Sequence, residues 1–454
     1  MMSIAEAARA AKGTARGADV RFDSVSSDSR TLDRGALFVA LRGERFDGHA
    51  FLGQARERGA VAAMVEMDQG PGTGEPEIPC VIVANTRTAL GELAAQWRSR
   101  FSIPLIAITG SNGKTTVKEM IAAILREQWG EEQTLATEGN LNNDIGLPLM
   151  LLRLRERHRC AVLELGMNHP GETAYLARVA KPTVGLINNA QREHQEFLNG
   201  VAEVAREHGA LLSALAPDGT AVFNADDEFA GLWRALAGNR PVRDFGLERA
   251  AAISGRFQLA GFGSEIVVIA PEGEARATLS VPGVHNVRNA LAATAGATAA
   301  GAALRAVERG LSAFRAVKGR LEHKKGRCGA TVIDDSYNAN PDSVDAAIAV
   351  LAQTRGPRIL VLGDMGEVGE RGPAFHEEAG RRAREAGIER LLAVGPLAVY
   401  AVRSFGRQAT HFQDVGALVR GTEAELAPDV TVLVKGSRFM RMERVVAALV
   451  EEGP

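Results

Sequence analysis

The sequence predicts a three-domain α/β protein built largely on parallel sheets, and three observations lead there. The chain is 454 residues long, enough for two to four domains with ample cores. Short apolar runs of strand length, "LIAITG", "AVLELG", "TVGLI" and "TAVFNA", then "ATVIDD", "RILVLGD", "RLLAVG" and "VTVLVKG", each pass into polar loop residues. Helical patterns separate them. Runs that are apolar on both faces suit sheets covered on both sides, and strand–helix alternation makes such sheets parallel. The expected layout is a small mixed N-terminal domain (residues 1–100), a central parallel-sheet domain of the phosphate-loop ATPase type (101–314) and a C-terminal Rossmann-like doubly wound domain (315–454).

The elements follow in order. "MMSIAEAARAAKGTARGADV" lacks a secretory apolar core and reads as the start of an amphipathic helix. "SVSSDSRTLDRGALFVALRGERFDGHAF" mixes short strands and turns, and "EMDQGPGTGEPEIP" is the best loop candidate. "RSRFSIP" links the first region to the second, and the third begins near "AFRAVKGRLE". "AATAGATAAGAAL" reads as a close-packed helix. Lys and Arg number 53 against 55 Asp and Glu, which gives no bias toward nucleic acid or a membrane surface. No apolar run approaches the roughly 18 residues of a membrane-spanning helix. Cys80, Cys160 and Cys328 are far apart and form no metal-type pair; they read as reduced core thiols in a cytosolic protein.

Ligands of such sheets bind beyond the carboxyl ends of the strands, so the chemistry is sought there. "LIAITGSNGKTTVKEMIAAIL" is the strongest signal. A strand ends at Thr109, a Gly-rich turn follows and a helix opens near Lys114. Gly110 and Gly113 let the backbone turn tightly around phosphate oxygens, with Asn112 between them. The helix N-terminus offers free N–H groups. Lys114 can reach the outer phosphates, and Thr115 or Thr116 can ligate magnesium. The full phosphate-loop pattern wants a glycine at position 108, which is Ile108, so the loop is a shortened variant. Nucleotide binding alone leaves hydrolase, kinase and ligase open.

Further strand ends could complete the site. "TEGNLNNDIGLP" could hold polar ligands through Asn140 and Asn143. Glu164 sits in an apolar run, where a carboxylate is costly unless paired or metal-bound; magnesium suits it. "INNAQREHQEF" crowds Arg192, Glu193, His194 and Glu196 just past the next strand, and His194 is a candidate contact for metal or phosphate. Asn286 and Asn289, three apart on a helix, share a face and could read an adenine edge. Arg320 is a phosphate-facing cation that stays charged. "IDDSYNANPDSV" brings Asp335, Tyr337, Asn338 and Asn340 to a strand end. Lys435, Ser437 and Arg438 could receive an anionic group.

Taken together, "SDSR", "FDGHAF", "TGSNGKTT", "GNLNNDIG", "LELGMNHPGE", "HNVRNALAA", "GRLE", "DDSYNANPDS", "LGDMGEVGE" and "VLVKGSR" resemble the Mur ligase family of ATP-dependent amide ligases over nearly the full length. "DSYNANP" and "GDMGE" resemble most the branch that adds D-alanyl-D-alanine to UDP-N-acetylmuramoyl-tripeptide, a cytoplasmic step of peptidoglycan precursor synthesis. The resemblance implies ATP and magnesium as cofactors, ADP and phosphate as products, an acyl phosphate and a tetrahedral intermediate, and a monomer without nucleic-acid or membrane partners. It assigns the UDP moiety to Ser27, Ser29, Arg30, Gly48 and His49. ATP falls to Gly110, Asn112, Gly113, Lys114, Thr115, Thr116, Asn286, Asn289, Arg320 and Asp335. Lys114, Glu164 and His194 would be catalytic, with Thr115, Glu164 and His194 on the metal. Asn140, Asn143, Tyr337, Asn338, Asn340, Lys435, Ser437 and Arg438 would meet the dipeptide or acyl phosphate.

One departure stands out. Many family members carry a carbamylated lysine in the helix after the "H-x-E" loop. Here that helix reads "VAEVAREHGALL" and the matching position is His208, which cannot form a carbamate. The hypothesis is that Glu193 or Glu196 lies nearer the metal in compensation. The alternatives are a sister Mur ligase or folate polyglutamate ligase, a phosphate-loop kinase or hydrolase, and a non-catalytic nucleotide-binding scaffold.

Overall fold

The structure, a computed structural model, describes residues 1–43, 46–67 and 78–451; most of the "EMDQGPGTGEPEIP" loop lies outside the described residues. The N-terminal helix Ile4–Ala10 opens on a reciprocal cap: the Ser3 hydroxyl accepts from Glu6 N while the Glu6 carboxylate accepts from Ser3 N. A five-stranded sheet follows, in the spatial order Thr14–Arg16, Cys80–Val83, Ala62–Glu66, Ala36–Val39, Ser24–Ser26. Only its first pairing is antiparallel.

The central sheet is parallel throughout. Its order is Thr220–Phe223, Val184–Ile187, Leu105–Thr109, Cys160–Glu164, Thr134–Ala136. Leu105–Thr109 lies in the middle, so the loop after it is flanked by strand-end loops on both sides. Ile106, Ile108, Val162 and Leu186 pack under the helices Lys114–Trp129, Val284–Ala299 and Leu304–Ala313. Leu105, Ala107, Ala161 and Leu163 face the other way, into a core continuous with Ile4, Leu37, Met64 and Leu90 of the first sheet's layer. The N-terminal and central sheets thus share one hydrophobic core. The Ala/Gly run forms the helix Val284–Ala299, where Gly296 admits Ile121 and Leu186 so closely that a Cβ would stand 3.0 Å from each.

One element departs from the expected alternation. Ser254–Ala260, Gly263–Ala270 and Gly273–Leu279 form an antiparallel three-stranded sheet joined by tight turns. The C-terminal sheet has the order Glu322–Lys325, Thr331–Asp335, Thr431–Lys435, Arg358–Gly363, Arg390–Val394, Ala409–Phe412 and is parallel except for its first strand. Alternate residues split between two cores. Ile333, Leu360, Leu391 and Leu433 meet one layer of helices, and Val332, Val361, Leu392 and Val434 meet the other. The sheet is therefore doubly wound.

Burial raises the thiols of Cys80 and Cys160 to about 11, so they are inert core groups. Cys328 corrects the expectation of three core thiols: it is exposed, on a short turn at φ 57°. Among the described residues no helix is long and apolar enough to cross a membrane.

Candidate active site

The carboxyl edges of the central and C-terminal sheets face one another across a cleft of about 1290 Å³. The phosphate loop forms its floor. The strand ends at Thr109 and the helix opens at Lys114, with Ile108 in the strand interior. Gly113 has φ 79°, and a Cβ there would stand 2.6 Å from Asn289 Oδ1 and 2.7 Å from Asn188 Nδ2. Only glycine fits, both in conformation and in space. Those amides belong to a buried chain. Asn286 Nδ2 donates to Pro282 O (2.8 Å), Asn289 Nδ2 to Asn286 Oδ1 (3.0 Å) and Asn188 Nδ2 to both Asn289 Oδ1 (3.0 Å) and Asn112 O (2.8 Å). Asn286 and Asn289 line the cleft, and these contacts brace the loop from behind.

Lys114 Nζ is folded back onto Gly110 O, Ser111 O (3.3 Å) and the Glu193 carboxylate (3.4 Å). Thr115 Oγ1 donates to Glu164 Oε2 (2.9 Å) and accepts from Arg320 Nη2 (3.0 Å). Glu164 is buried at its strand end and takes Asn142 Nδ2 on its other oxygen (2.9 Å). Asn142 is thus the residue of "GNLNNDIG" that meets the site's carboxylate; Asn143 caps the following turn, accepting from Gly146 N (2.8 Å), and Asn140 is exposed. A hydroxyl beside a carboxylate is a hard-oxygen pair that fits magnesium completed by phosphates and water. His194 is not brought to that pair. It sits at φ 48°, with Nε2 3.6 Å from Glu193 Oε2 and Nδ1 2.7 Å from Glu367 Oε2, off line for a hydrogen bond. Among the described residues no three His, Cys, Asp or Glu side chains gather in a metal-binding group.

The stretch "REHQE" divides its residues. Glu196 is exposed. Glu193 is buried, and His208 Nε2 contacts its Oε1 at 2.9 Å while His208 Nδ1 contacts Thr109 Oγ1 at 2.9 Å. Burial opposes the charge on Glu193, but Lys114 and then His208 hold the carboxyl down at about 2. Arg192 reaches the opposite domain, pairing with Asp342 (2.8 Å), Glu378 (2.8 Å) and Asp345 (3.3 Å). A second bridge runs from Asn340 Nδ2 to Asn112 Oδ1 (3.0 Å).

On the C-terminal wall, Asp335 and Lys435 pair at 2.6 Å, and Lys435 also donates to Asn338 O (2.9 Å). Burial raises the Asp335 carboxyl despite that lysine. Ser437 is buried too, donating to Ala339 O (2.9 Å) and accepting from Gly366 N (2.6 Å). Lys435 and Ser437, expected to receive an anion, both line the cleft, and in this structure their polar atoms tie loops together. Arg438 remains exposed beside Tyr337, whose ring lies 4.3 Å under the Arg320 guanidinium. Thr116 is buried in the first helical turn.

The five residues expected at the UDP moiety lie outside this cleft. His49 is enclosed, with Nδ1 2.5 Å from Asp47 Oδ1 and Nε2 accepting from Glu66 N (3.0 Å), so its contacts brace the strand end. A Cβ on Gly48 would stand 2.7 Å from Leu41 O. Ser29 donates to Gln54 Oε1 (2.6 Å), Ser27 is half-buried, and Arg30 is exposed and paired with Asp28 (2.8 Å).

Sequence comparisons agree with this architecture. The Mur ligase family catalytic domain matches residues 21–98, the Mur ligase middle domain 108–297 and the Mur ligase glutamate ligase domain 319–438. The UDP-N-acetylmuramoyl-tripeptide–D-alanyl-D-alanine ligase of Escherichia coli (strain K12) is 42% identical, covering 97% of this chain and 96% of that protein. A crystal structure of MurF from Acinetobacter baumannii superposes with a TM-score of 0.91 at 34% identity, over 98% of each chain. MurF ligase from Thermotoga maritima in complex with ADP superposes with a TM-score of 0.82 at 25% identity, over 94% of this chain and 96% of that one. From its three matching family domains, its shortened phosphate loop and these likenesses, the chain belongs to the Mur ligase family.

Proposed function

We infer that this chain joins D-alanyl-D-alanine to UDP-N-acetylmuramoyl-tripeptide at the expense of ATP. Family membership and the 42% identical E. coli ligase support the reading. The single observation that carries the chemistry is the opposed cleft. Lys114 and the Thr115–Glu164 pair stand on one wall, Tyr337 and Arg438 on the other, and Arg320 reaches across to Thr115.

The reaction transfers the γ-phosphoryl group of ATP to the tripeptide's terminal carboxylate. The dipeptide amine then attacks the acyl phosphate, and the tetrahedral intermediate collapses to the amide and phosphate, leaving ADP. The loop N–H groups and the helix N-terminus receive phosphate oxygens. Lys114 and Arg320 neutralise charge gathering on the transferred group. Magnesium, held by Thr115 and Glu164, would supply Lewis-acid stabilisation of that group. The opposed walls hold amine and acyl phosphate together and exclude water.

We assign nucleotide-sugar recognition to residues 1–100, ATP to 101–314 and the dipeptide to 315–454. We assign the chain to the cytoplasm, acting as a monomer. ADP release with ATP, magnesium, UDP-N-acetylmuramoyl-tripeptide and D-alanyl-D-alanine, omitting each in turn, tests this reading. Release requiring all four is the expected result; release without the dipeptide overturns the ligase assignment.

A further inference from the structure

The mechanism leaves the buried Glu193 unused. Glu193 faces the phosphate loop from below, beside Lys114. Its Oε1 is held by His208 Nε2, and His208, wholly buried in the helix Val201–Ser213, is held in turn by Thr109 Oγ1 at the end of the central strand. The carboxylate is fixed from behind at 2.9 Å by a ring that is itself fixed at 2.9 Å.

We propose that Glu193, positioned by His208, makes admission of nucleotide phosphates depend on an accompanying divalent cation. In this conformation Lys114 rests on two loop carbonyls and Glu193. Incoming phosphates must draw Lys114 away. That leaves Glu193 facing them, with the His208 ring at 2.9 Å behind it and the His194 ring at 3.6 Å as its remaining neighbours. The carboxylate cannot swing aside, because His208 holds it in a buried site. A buried, fixed carboxylate and phosphates brought against it repel. A divalent cation that enters with the phosphates at the Thr115–Glu164 pair offsets that repulsion. Nucleotide without a cation is therefore turned away at the loop. Lys114 changes partner on binding; Glu193 does not move, and His208 is the residue that prevents it.

The inference rests on reading this cleft as a nucleotide-phosphate site, and the test separates the two. ADP binding to the full chain is measured by calorimetry in magnesium and in EDTA. Wild-type protein is expected to bind ADP at least about tenfold more weakly in EDTA, an ordinary size for coupling between two ligands. In Glu193→Gln, which keeps shape and hydrogen-bonding capacity, binding in EDTA strengthens and the gap narrows to a few-fold. In His208→Leu, which frees the carboxylate, the gap narrows in part. Glu193→Asp, retaining charge, keeps a gap and serves if the His208 variant does not fold. A merely structural role would weaken binding equally in both buffers. An unchanged ratio in Glu193→Gln overturns the filter while the nucleotide site stands. No ADP binding by wild-type protein in either buffer removes both.

Discussion

The central and C-terminal sheets each bring one lysine to the carboxyl edge that lines the cleft, and the two lysines are placed in opposite ways. Lys114 keeps 18% of its side-chain surface exposed and rests on loop carbonyls and one carboxylate, partners it can leave. Lys435 keeps 3% and is clamped between Asp335 and Asn338 O. A cation that serves a ligand needs partners it can exchange; one that holds a fold has partners it cannot lose. The loops differ for the same reason. The central loop presents backbone N–H groups and a helix start, whereas the C-terminal loops are cross-tied by Ser437, Asn340 and Asp335 and leave Tyr337 and Arg438 to the cleft.

The largest expected effect separates the two lysines. Lys114→Ala should lower ligation about 100-fold or more, read as ADP release, with the circular dichroism and urea midpoint close to wild type. Lys435→Ala should act on stability first. It strands the Asp335 carboxylate in the interior, and losing one partner of a buried pair costs about 3–5 kcal/mol. Urea denaturation measures this, and a variant as stable as wild type would erase the contrast.

A smaller effect concerns the seam between the two walls. Burial raises the Asp345 carboxyl to about 6, beside Arg192 and Arg382. Its folded value lies above the unfolded value of 3.8, so the folded state binds this proton more tightly. The contribution to stability is complete below about pH 4 and is lost as pH rises through about 6. Asp345→Asn should flatten that part of the urea-midpoint profile, and an unaltered profile between pH 4 and 6 would reject the assignment. The smallest effect lies far from both walls. Arg30→Ala should leave the urea midpoint unchanged while raising KM for the UDP-linked substrate several-fold; equal KM values would remove Arg30 from that site.

What was legible in the sequence follows the range of the interactions. The phosphate loop was readable because Gly110, Gly113, Lys114 and Thr115 carry their meaning in local spacing. The strands of both large sheets were readable from apolar runs that are buried on both faces. Asn188 and Asn142 were not, and His208 stood out only as a departure from the family, because their roles depend on partners across the sheet: Asn188 meets Asn289 and His208 meets Thr109, each about a hundred positions away in the chain. In the sequence Glu193 and Glu196 look alike, and only the fold separates the buried carboxylate from the exposed one. The antiparallel sheet at 254–279 did leave a trace. Gly261 and Gly273, at φ 57° and 133°, sit at its two turns, but alternating half-exposed strands are a weaker pattern than continuous apolar runs. His49 comes to the UDP moiety only through the family resemblance, and the contacts of its ring with Asp47 and the Glu66 backbone are set by the fold.

The single core shared by the first two sheets sets how the molecule comes apart. Met2, Leu37, Met64, Leu90, Leu105, Ala161 and Leu211 belong to one continuous apolar mass, whereas the C-terminal sheet is sealed by two cores of its own. Residues up to the end of the helix Leu304–Ala313 should therefore melt as one cooperative unit and the remainder as another, the two meeting through polar bridges and the Phe262 contact. Scanning calorimetry of the whole chain should then resolve two endotherms rather than three.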